Sequence, residues 1–425
     1  MERKIEEFFQ KWKKDVIRKP MLLYGPKQIG KTFSVLEFGK KEYKNVVYFN
    51  TENNKEIIDL FKKEKSTEKI ILNLSLMIGE TILKEDTLVI LDNVNRVEIV
   101  KGLKLFGSEH SGYHIIAITS RRENLSDFKG EELQFKGMSS MDFEEFLWAH
   151  NEKNLSDLIK ESFTKRRTCP FHKVALEFFQ NFLETGGMPE VIQAGIDGKS
   201  PFELDAIKQK LIDIYKKEVA MNSTLIDIPR GLEVMDSLPE QLKKANKKFQ
   251  YGVIGHGRRA KEYDSCINYL ANNQLVYRSY KIKDVKSPLS SCKDKDSFKL
   301  YPTDTGFLYT MLHLNFKKFQ TDEKMKETLY ECHIAKSLID NDYSLYYYQS
   351  DGKAEVNFVV QNRMGQIIPI EIATKTNSKA KSLSVFVKKY TVPQAYRITE
   401  NNFSTKKGIR YIPIYATYCI DNSKV

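Results

Sequence analysis

The stretch Met21-Leu-Leu-Tyr-Gly-Pro-Lys-Gln-Ile-Gly-Lys-Thr32 decides the fold of this chain. It opens with a short apolar run that predicts a buried strand, and it continues into the pattern G-x-x-x-x-G-K-[ST]. Glycines at the two fixed positions let backbone N–H groups turn inward around a phosphate, and the helix that follows adds its positive end. The sequence therefore predicts a phosphate-binding loop made of Gly25, Pro26, Lys27, Gln28, Ile29, Gly30, Lys31 and Thr32.

Two side chains of this loop carry its expected chemistry. We expect the ammonium group of Lys31 to contact the β- and γ-phosphates of ATP, and the hydroxyl of Thr32 to ligate Mg²⁺. Further along, Thr87-Leu-Val-Ile-Leu-Asp92 is an apolar run that ends in an acid. This is the Walker B pattern, which places a carboxylate beside the loop to hold the metal. ATP and Mg²⁺ are thus the predicted ligands, and Thr32 and Asp92 the predicted metal ligands.

The residue after Asp92 departs from the pattern of AAA-type ATPases, which usually have a glutamate there to activate the attacking water. This chain has Asn93. An amide can orient water but cannot accept its proton, and losing a general base costs about 10²–10⁴-fold in rate. Two interpretations stay open. Either Asn93 marks a slow ATPase or nucleotide-dependent switch, or another group such as Glu98 serves as the base.

Apolar runs alternate with helical patterns through the first third of the chain. Beside the two runs already named, Asn45–Asn50 and Tyr113–Thr119 also predict buried strands. Such alternation predicts a parallel sheet whose ligand lies at the carboxyl edge of the strands. Thr119 would end its strand at that edge, and we expect it to sense the γ-phosphate. Arg121 and Arg122 follow it and are candidates for an arginine finger.

Composition limits the class of protein. The chain has 425 residues, enough for two to four domains. Its 68 Lys and Arg exceed its 56 Asp and Glu by 12, which favours anionic partners such as nucleic acid or nucleotide. The five cysteines lie far apart without a C-x-x-C pair, so neither a zinc site nor a disulfide framework is expected. No apolar run has membrane-spanning length, and we expect a cytoplasmic protein.

The middle of the chain predicts a helical lid followed by a winged helix. Residues 140–225 have helical patterns, and Pro239–Tyr251 predicts a basic helix before a glycine-rich turn. A second helix and two strands, Gln274–Lys281 and Ser297–Tyr301, complete the helix–turn–helix and hairpin of a winged helix. The basic side chains on its helices predict contact with double-stranded DNA. The alternatives are that these side chains form a solvated face or pack against a neighbouring domain. These cations are Lys243, Lys244, Lys247, Lys248, Arg258, Arg259 and Lys261.

Three motifs carry a family resemblance. The segments Met141-Asp-Phe-Glu-Glu-Phe-Leu-Trp-Ala149, Thr185-Gly-Gly-Met-Pro-Glu190 and Tyr251–Tyr263 resemble motifs of a large prokaryotic group of AAA-type ATPases. Those proteins end in a domain of unknown function related to restriction endonucleases. The resemblance implies an α/β fold with an ATP-binding core at residues 1–137 and a helical lid at 138–228. It further implies a winged helix at 229–315 and a nuclease-like α/β domain at 316–425.

The resemblance also locates a nuclease-like metal site, and this sequence departs from it. Such cores hold metal with an Asp on a hairpin and an E-x-K on the next strand, together with a helical glutamate, here Glu331. The hairpin position is Asn357, and the E-x-K has become Glu371-Ile-Ala373. Lys375, on the same strand face as Ala373, is the one candidate to replace the missing lysine. We expect this site to bind metal poorly and to cut nothing.

Three functions therefore compete. The first is a slow ATPase or nucleotide-dependent switch that acts on an unknown protein partner or on DNA. The second is an active ATP-dependent nuclease. The third is a DNA-binding regulator in which ATP is structural.

Overall fold

The structure is a computed structural model that describes residues 1–109, 111–121, 132–222, 227–315, 319, 321–350, 355–374 and 381–422. It forms two compact units: Met1–Ser139 with Asn272–Gln274, and Ser140–Ala271 with Leu275–Val425. The four domain ranges expected from the sequence stay predictions. Arg122 and Lys375, two of the candidates above, lie outside the described residues.

A parallel five-stranded sheet forms the centre of the first unit, as predicted. Its spatial order is β2-β3-β4-β1-β5, and every neighbouring pair is parallel. Strands β3 and β4 are buried along their whole length, which explains their continuous apolar sequences. The strands are β1 Met21–Tyr24, β2 Asn45–Asn50, β3 Thr87–Asp92, β4 His114–Thr119 and β5 Gln134–Gly137.

Helices connect these strands and cover the sheet. The core formed by α3, α4, α5 and the sheet includes Phe61, Leu74 and Leu103, each with at most 1% of its surface exposed. The parallel strands bring their carboxyl ends, and the loops that follow them, to one edge. The helices of this unit are α1 Ile5–Lys13, α2 Lys31–Glu42, α3 Lys55–Lys63, α4 Thr67–Ile78 and α5 Val97–Ser108.

The second unit begins with a run of helices, as the sequence predicts for residues 140–225. Among the residues that the structure describes, none of the helices combines the length and the apolar character needed to cross a bilayer. The helices before its sheet are α6 Phe143–Ala149, α7 Lys153–Lys165, α8 His172–Thr185, α9 Pro189–Ile196, α10 Pro201–Asn222, α11 Asp227–Lys243, α12 Tyr251–Ile254 and α13 Ala260–Asn272.

A mixed eight-stranded sheet, in the order β12-β13-β11-β10-β9-β8-β6-β7, organises the rest of this unit. Helix α15 packs on it and is buried from Thr328 to Leu338. The strands are β6 Val276–Ile282, β7 Lys293–Pro302, β8 Tyr346–Gln349, β9 Glu355–Gln361, β10 Ile367–Ala373, β11 Tyr396–Thr399, β12 Ser404–Lys406 and β13 Ile409–Pro413. The helices among them are α14 Thr305–Met311, α15 Glu323–Asp340 and α16 Lys381–Tyr390.

The region expected to form a winged helix differs from the prediction in two ways. The basic helix predicted over Pro239–Tyr251 does not form, because α11 ends at Lys243 and the chain folds back. The side chain of Gln241 explains this, since it pairs with both the backbone N–H and the C=O of Gln250, at 3.0 and 2.9 Å. The predicted hairpin does form, as β6 and β7, but β6 also pairs with β8. The hairpin is therefore part of the larger sheet.

Candidate nucleotide-binding site

The predicted phosphate-binding loop joins β1 to α2 and has the backbone that this pattern requires. Gly30 has φ +91°, a left-handed conformation that glycine adopts without strain. Gly25 is needed for a different reason, because a Cβ there would lie 2.1 Å from the carbonyl oxygen of Met138. Buried Arg3 supports the loop by donating to the carbonyl of Ile29 at 2.7 Å. The glycines and Arg3 thus fix the path of the loop.

Lys31 begins α2 and lies folded over the loop. Its Nζ donates to the carbonyl oxygens of Gly25 at 2.8 Å and Pro26 at 2.5 Å, and the residue is buried. An ammonium group satisfied by neutral carbonyls can exchange them for phosphate oxygens, which bind a cation more strongly.

Asp92, at the end of β3, is the centre of a hydrogen-bond network. Its Oδ2 accepts from the hydroxyls of Thr32 and Tyr48, both at 2.8 Å, and its Oδ1 accepts from the N–H of Asn93 at 2.8 Å. The two predicted metal ligands, Thr32 and Asp92, are therefore in direct contact. Tyr48 is not identifiable from the sequence, because nothing near it in the chain signals its contact with Asp92.

Asn93 follows Asp92 in a left-handed conformation, with φ +58°. Asparagine tolerates this region better than most residues because its short side chain can bond locally. Here its Nδ2 donates to Oδ1 of Asn50 at 3.2 Å. The backbone thus gives a structural reason for an asparagine at this position. Glu98, the alternative base, is half-buried on the first turn of α5.

Thr119 ends β4 beside the loop. The N–H of Gly25 donates to its carbonyl at 3.3 Å, and its hydroxyl oxygen accepts from the N–H of Arg121 at 3.0 Å. The neighbouring positions of β1 and β4 in the sheet bring this residue to the loop.

A cavity of about 410 Å³ lies where these elements meet, which is large enough for a small-molecule ligand. Most predicted site residues line it, whereas Gly25, Pro26, Ile29 and Glu98 do not. Phe33 is an addition that the motif did not predict, an aromatic side chain 56% exposed on the first turn of α2. The lining residues are Lys27, Gln28, Gly30, Lys31, Thr32, Phe33, Asp92, Asn93, Ile118, Thr119 and Ser120.

The second unit uses its predicted metal-binding glutamate differently. The carboxylate of Glu331, 1% exposed, contacts Nζ of Lys247 at 2.6 Å and Nζ of Lys299 at 3.0 Å. The hydroxyl of Tyr301 donates to it at 2.6 Å, and Lys299 also pairs with Glu355 at 2.8 Å. Burial opposes ionisation, but the two ammonium groups hold the pKa of Glu331 well below its usual range. Two cations already occupy the oxygens that a metal would need.

The other nuclease-like positions are also engaged. The amide oxygen of Asn357 accepts from the N–H of Ile372 at 3.0 Å. Glu371 accepts from the N–H of Leu383 at 3.3 Å and lies 3.5 Å from Nε of Arg397. Burial raises the pKa of Glu371, against the effect of that arginine. Within the described part of the chain, no three His, Cys, Asp or Glu side chains are grouped to hold a metal, and the residues present do not fit the metal of a nuclease.

The cations predicted to contact DNA fall into three groups. Lys247 is buried in the cluster with Glu331, so its prediction as a DNA contact is wrong. Three more are engaged at the surface: Lys243 with Glu240, Arg258 with Glu233, and Lys244 with the side chain of Gln250. The remaining cations, half-buried or exposed, are Lys248, Arg259 and Lys261.

The loop, the lysine and threonine at its helical end and the acid at the end of the third strand define a P-loop nucleotide-binding domain. Residues 17–147 match the family model described as an AAA domain. The chain thus carries an AAA-type P-loop ATPase domain. Two further models match, both domains of unknown function: DUF8612 over residues 176–318 and DUF4143 over residues 326–417.

Solved structures give only distant likenesses. A Walker-type ATPase of Pyrococcus abyssi is 13% identical with a TM-score of 0.43, over 73% of this chain and 95% of that one. A STAND-type signal transduction ATPase of Pyrococcus horikoshii, with a tetratricopeptide repeat sensor, is 13% identical with a TM-score of 0.30. The match covers 80% of this chain and 45% of that one. The Orc1 protein of Aeropyrum pernix, in complex with DNA, is 11% identical with a TM-score of 0.30. The match covers 73% of this chain and 92% of that one. No curated protein matches the chain.

Proposed function

We propose that the first unit binds ATP with Mg²⁺ and hydrolyses it slowly, as a nucleotide-dependent switch acting on a protein partner or on DNA. One observation carries the proposal. Lys31 and the hydrogen-bonded pair Thr32–Asp92 line the same cavity, at the carboxyl edge of a parallel sheet. A cation for phosphate and a hydroxyl–carboxylate pair for a hard divalent metal are the groups that Mg²⁺-ATP requires.

Each group has a defined role in this proposal. Lys31 releases its two carbonyl partners and binds the β- and γ-phosphates, while the loop N–H groups surround the phosphate chain. Thr32 and Asp92 would hold Mg²⁺, which neutralises the charge that develops on phosphoryl transfer. Thr119 lines the same cavity, and its hydroxyl would contact the terminal phosphate. The exposed ring of Phe33 offers a surface for the nucleobase.

Slow turnover is proposed from the chemistry of Asn93. Its amide lines the cavity but accepts no proton, and it is oriented by Asn50. The alternative base, Glu98, does not line the cavity. Without a general base, we expect a rate about 10²–10⁴-fold below that of an enzyme that has one.

Lys31→Ala tests the site. Calorimetric titration of the full-length protein with Mg²⁺-ATP should show binding by the wild type and none by this variant, because the phosphates lose their cation. The matched control is Lys40→Ala on the same helix, where the lysine is exposed and paired with Glu37. Its affinity should equal that of the wild type. Equal affinity of the Lys31→Ala variant would refute the proposed site.

Contact with double-stranded DNA is a second candidate function. Its candidate contact residues are Lys248, Arg259 and Lys261. The other four cations of the predicted set are engaged with Glu331, Glu240, Glu233 or the side chain of Gln250. Replacing all three with Ala should weaken binding to duplex DNA. The salt dependence of binding should also fall, by about one unit of slope for each phosphate that the variant no longer neutralises. Absence of wild-type binding at low salt would end this candidate.

A further inference from the structure

Tyr48 contacts the Walker B carboxylate from the edge of the sheet. Strand β2 is an edge strand, and its register with β3 sets Tyr48 opposite Ile90 and Asn50 opposite Asp92. Residues two apart on a strand share a face, so Tyr48 and Asn50 project on the same side. This arrangement lets the phenolic hydroxyl of Tyr48 reach Oδ2 of Asp92 at 2.8 Å.

The contact restricts how Asp92 can bind anything else. An ionised carboxylate has about four acceptor positions, two on each oxygen. Thr32 and Tyr48 both donate to Oδ2, and the N–H of Asn93 donates to Oδ1. One acceptor position then remains on Oδ1. We infer that Tyr48 is a positioning residue for magnesium, which fixes the rotation of the Asp92 carboxylate so that Oδ1 is directed to the Mg²⁺ ion or its bound water.

The exposure of the two residues supports a role in positioning over a role in packing. Tyr48 is 41% exposed, so its ring contributes little to the core, whereas Asp92 is only 6% exposed.

The role rests on the proposed function, since it needs Mg²⁺-ATP at this cavity. It predicts a specific defect in Tyr48→Phe, which removes one oxygen and keeps the ring. Loss of a group that orients a metal ligand typically weakens metal affinity about 10–100-fold. The phosphate-binding loop does not contain Tyr48, so affinity for ATP in the absence of metal should not change.

The experiment is calorimetric titration of ATP into the full-length protein, in EDTA and over a series of Mg²⁺ concentrations. The wild type, Tyr48→Phe and a control variant, Tyr113→Phe, are compared. Tyr113 is a half-buried tyrosine that precedes the opposite end of β4 and packs on Phe106, with ring centroids 6.2 Å apart. We expect Tyr48→Phe to need about tenfold more Mg²⁺ for half-maximal enhancement of ATP binding, at unchanged affinity in EDTA. The control should match the wild type.

Two results would overturn the inference while leaving the proposed function in place. One is a Mg²⁺ dependence in Tyr48→Phe within about twofold of the wild type, against the tenfold change expected. The other is an equal loss of affinity in EDTA and in Mg²⁺, which would indicate a structural role only. Failure of the wild type to bind ATP under any condition would overturn the proposed function and this inference together.

Discussion

Replacing Glu331 with Gln should destabilise the second unit far more than any surface substitution. The change keeps the size of the side chain but removes the charge that two buried ammonium groups share. Lys299 would keep its contact with Glu355, and Lys247 would keep its contact with Glu327, at 3.7 Å and on a side chain 46% exposed. Breaking a buried ion pair by removing one partner costs about 3–5 kcal/mol, and we expect a loss of free energy of unfolding in this range.

Glu327→Gln is the matched control, because Glu327 lies on the same helix and faces the same lysine. Its contact with Lys247 is longer, at 3.7 Å, and its own carboxylate is solvent-exposed, so its loss should cost less than about 1 kcal/mol. Urea unfolding can be followed separately in each unit, since the chain's two tryptophans are Trp12 in the first and Trp148 in the second. In a Trp12→Phe background, the fluorescence of Trp148 reports the second unit alone. A loss in Glu331→Gln within about 0.5 kcal/mol of the control would refute the reasoning.

The same cluster predicts a pH dependence. The folded-state pKa of Glu331 lies below the unfolded value of about 4.3, so its contribution to stability is fully present above that pH. The contribution is lost as the pH falls toward the folded-state pKa. The difference in stability between the wild type and Glu331→Gln should therefore be constant near neutrality and decrease below about pH 4.

Other predictions concern the two units separately. Asn93→Glu should raise ATP turnover at nearly unchanged ATP affinity. Glutamate at this left-handed position should lower the free energy of unfolding by about 1–2 kcal/mol. A wild-type turnover of about 10 s⁻¹ in a phosphate-release assay would contradict the prediction on turnover. Phe33→Ala should weaken the binding of ATP but not of inorganic triphosphate, and an equal effect on both in calorimetry would remove the base-contact role. The second unit should leave plasmid DNA and RNA uncut in Mg²⁺ or Mn²⁺, and cleavage by the wild type that disappears in Glu371→Ala would show a working nuclease.

The parts of the site that are predictable are those encoded in continuous sequence. The phosphate-binding loop needs glycines, lysine and threonine at fixed spacing, and the strand that ends at Asp92 needs only a run of apolar residues. Tyr48 could not be predicted, because its contact with Asp92 depends on the register between β2 and β3. That register follows from the packing of the whole sheet.

The same distinction explains the errors in the second unit. Lys247 stands among lysines, so sequence alone favours a solvated or DNA-binding face, yet its partner Glu331 lies 84 residues further along the chain. The end of α11 also cannot be predicted from the local sequence, because the side chain of Gln241 accepts a hydrogen bond from the backbone N–H nine residues further along. In both cases, a distant partner overrides the local pattern.

Because β6 pairs with β8, the domain boundary expected at residue 315 would divide one sheet. A fragment ending at the expected boundary of residue 315 would leave β6 with an unpaired edge. A fragment starting at 316 would expose the matching edge of β8, and bare strand edges promote aggregation. The buried charges would also be divided, with Lys247 and Lys299 on one fragment and Glu331 on the other. Expression of this region is therefore best designed to start before α11 and continue through β13, so that the sheet is synthesised whole.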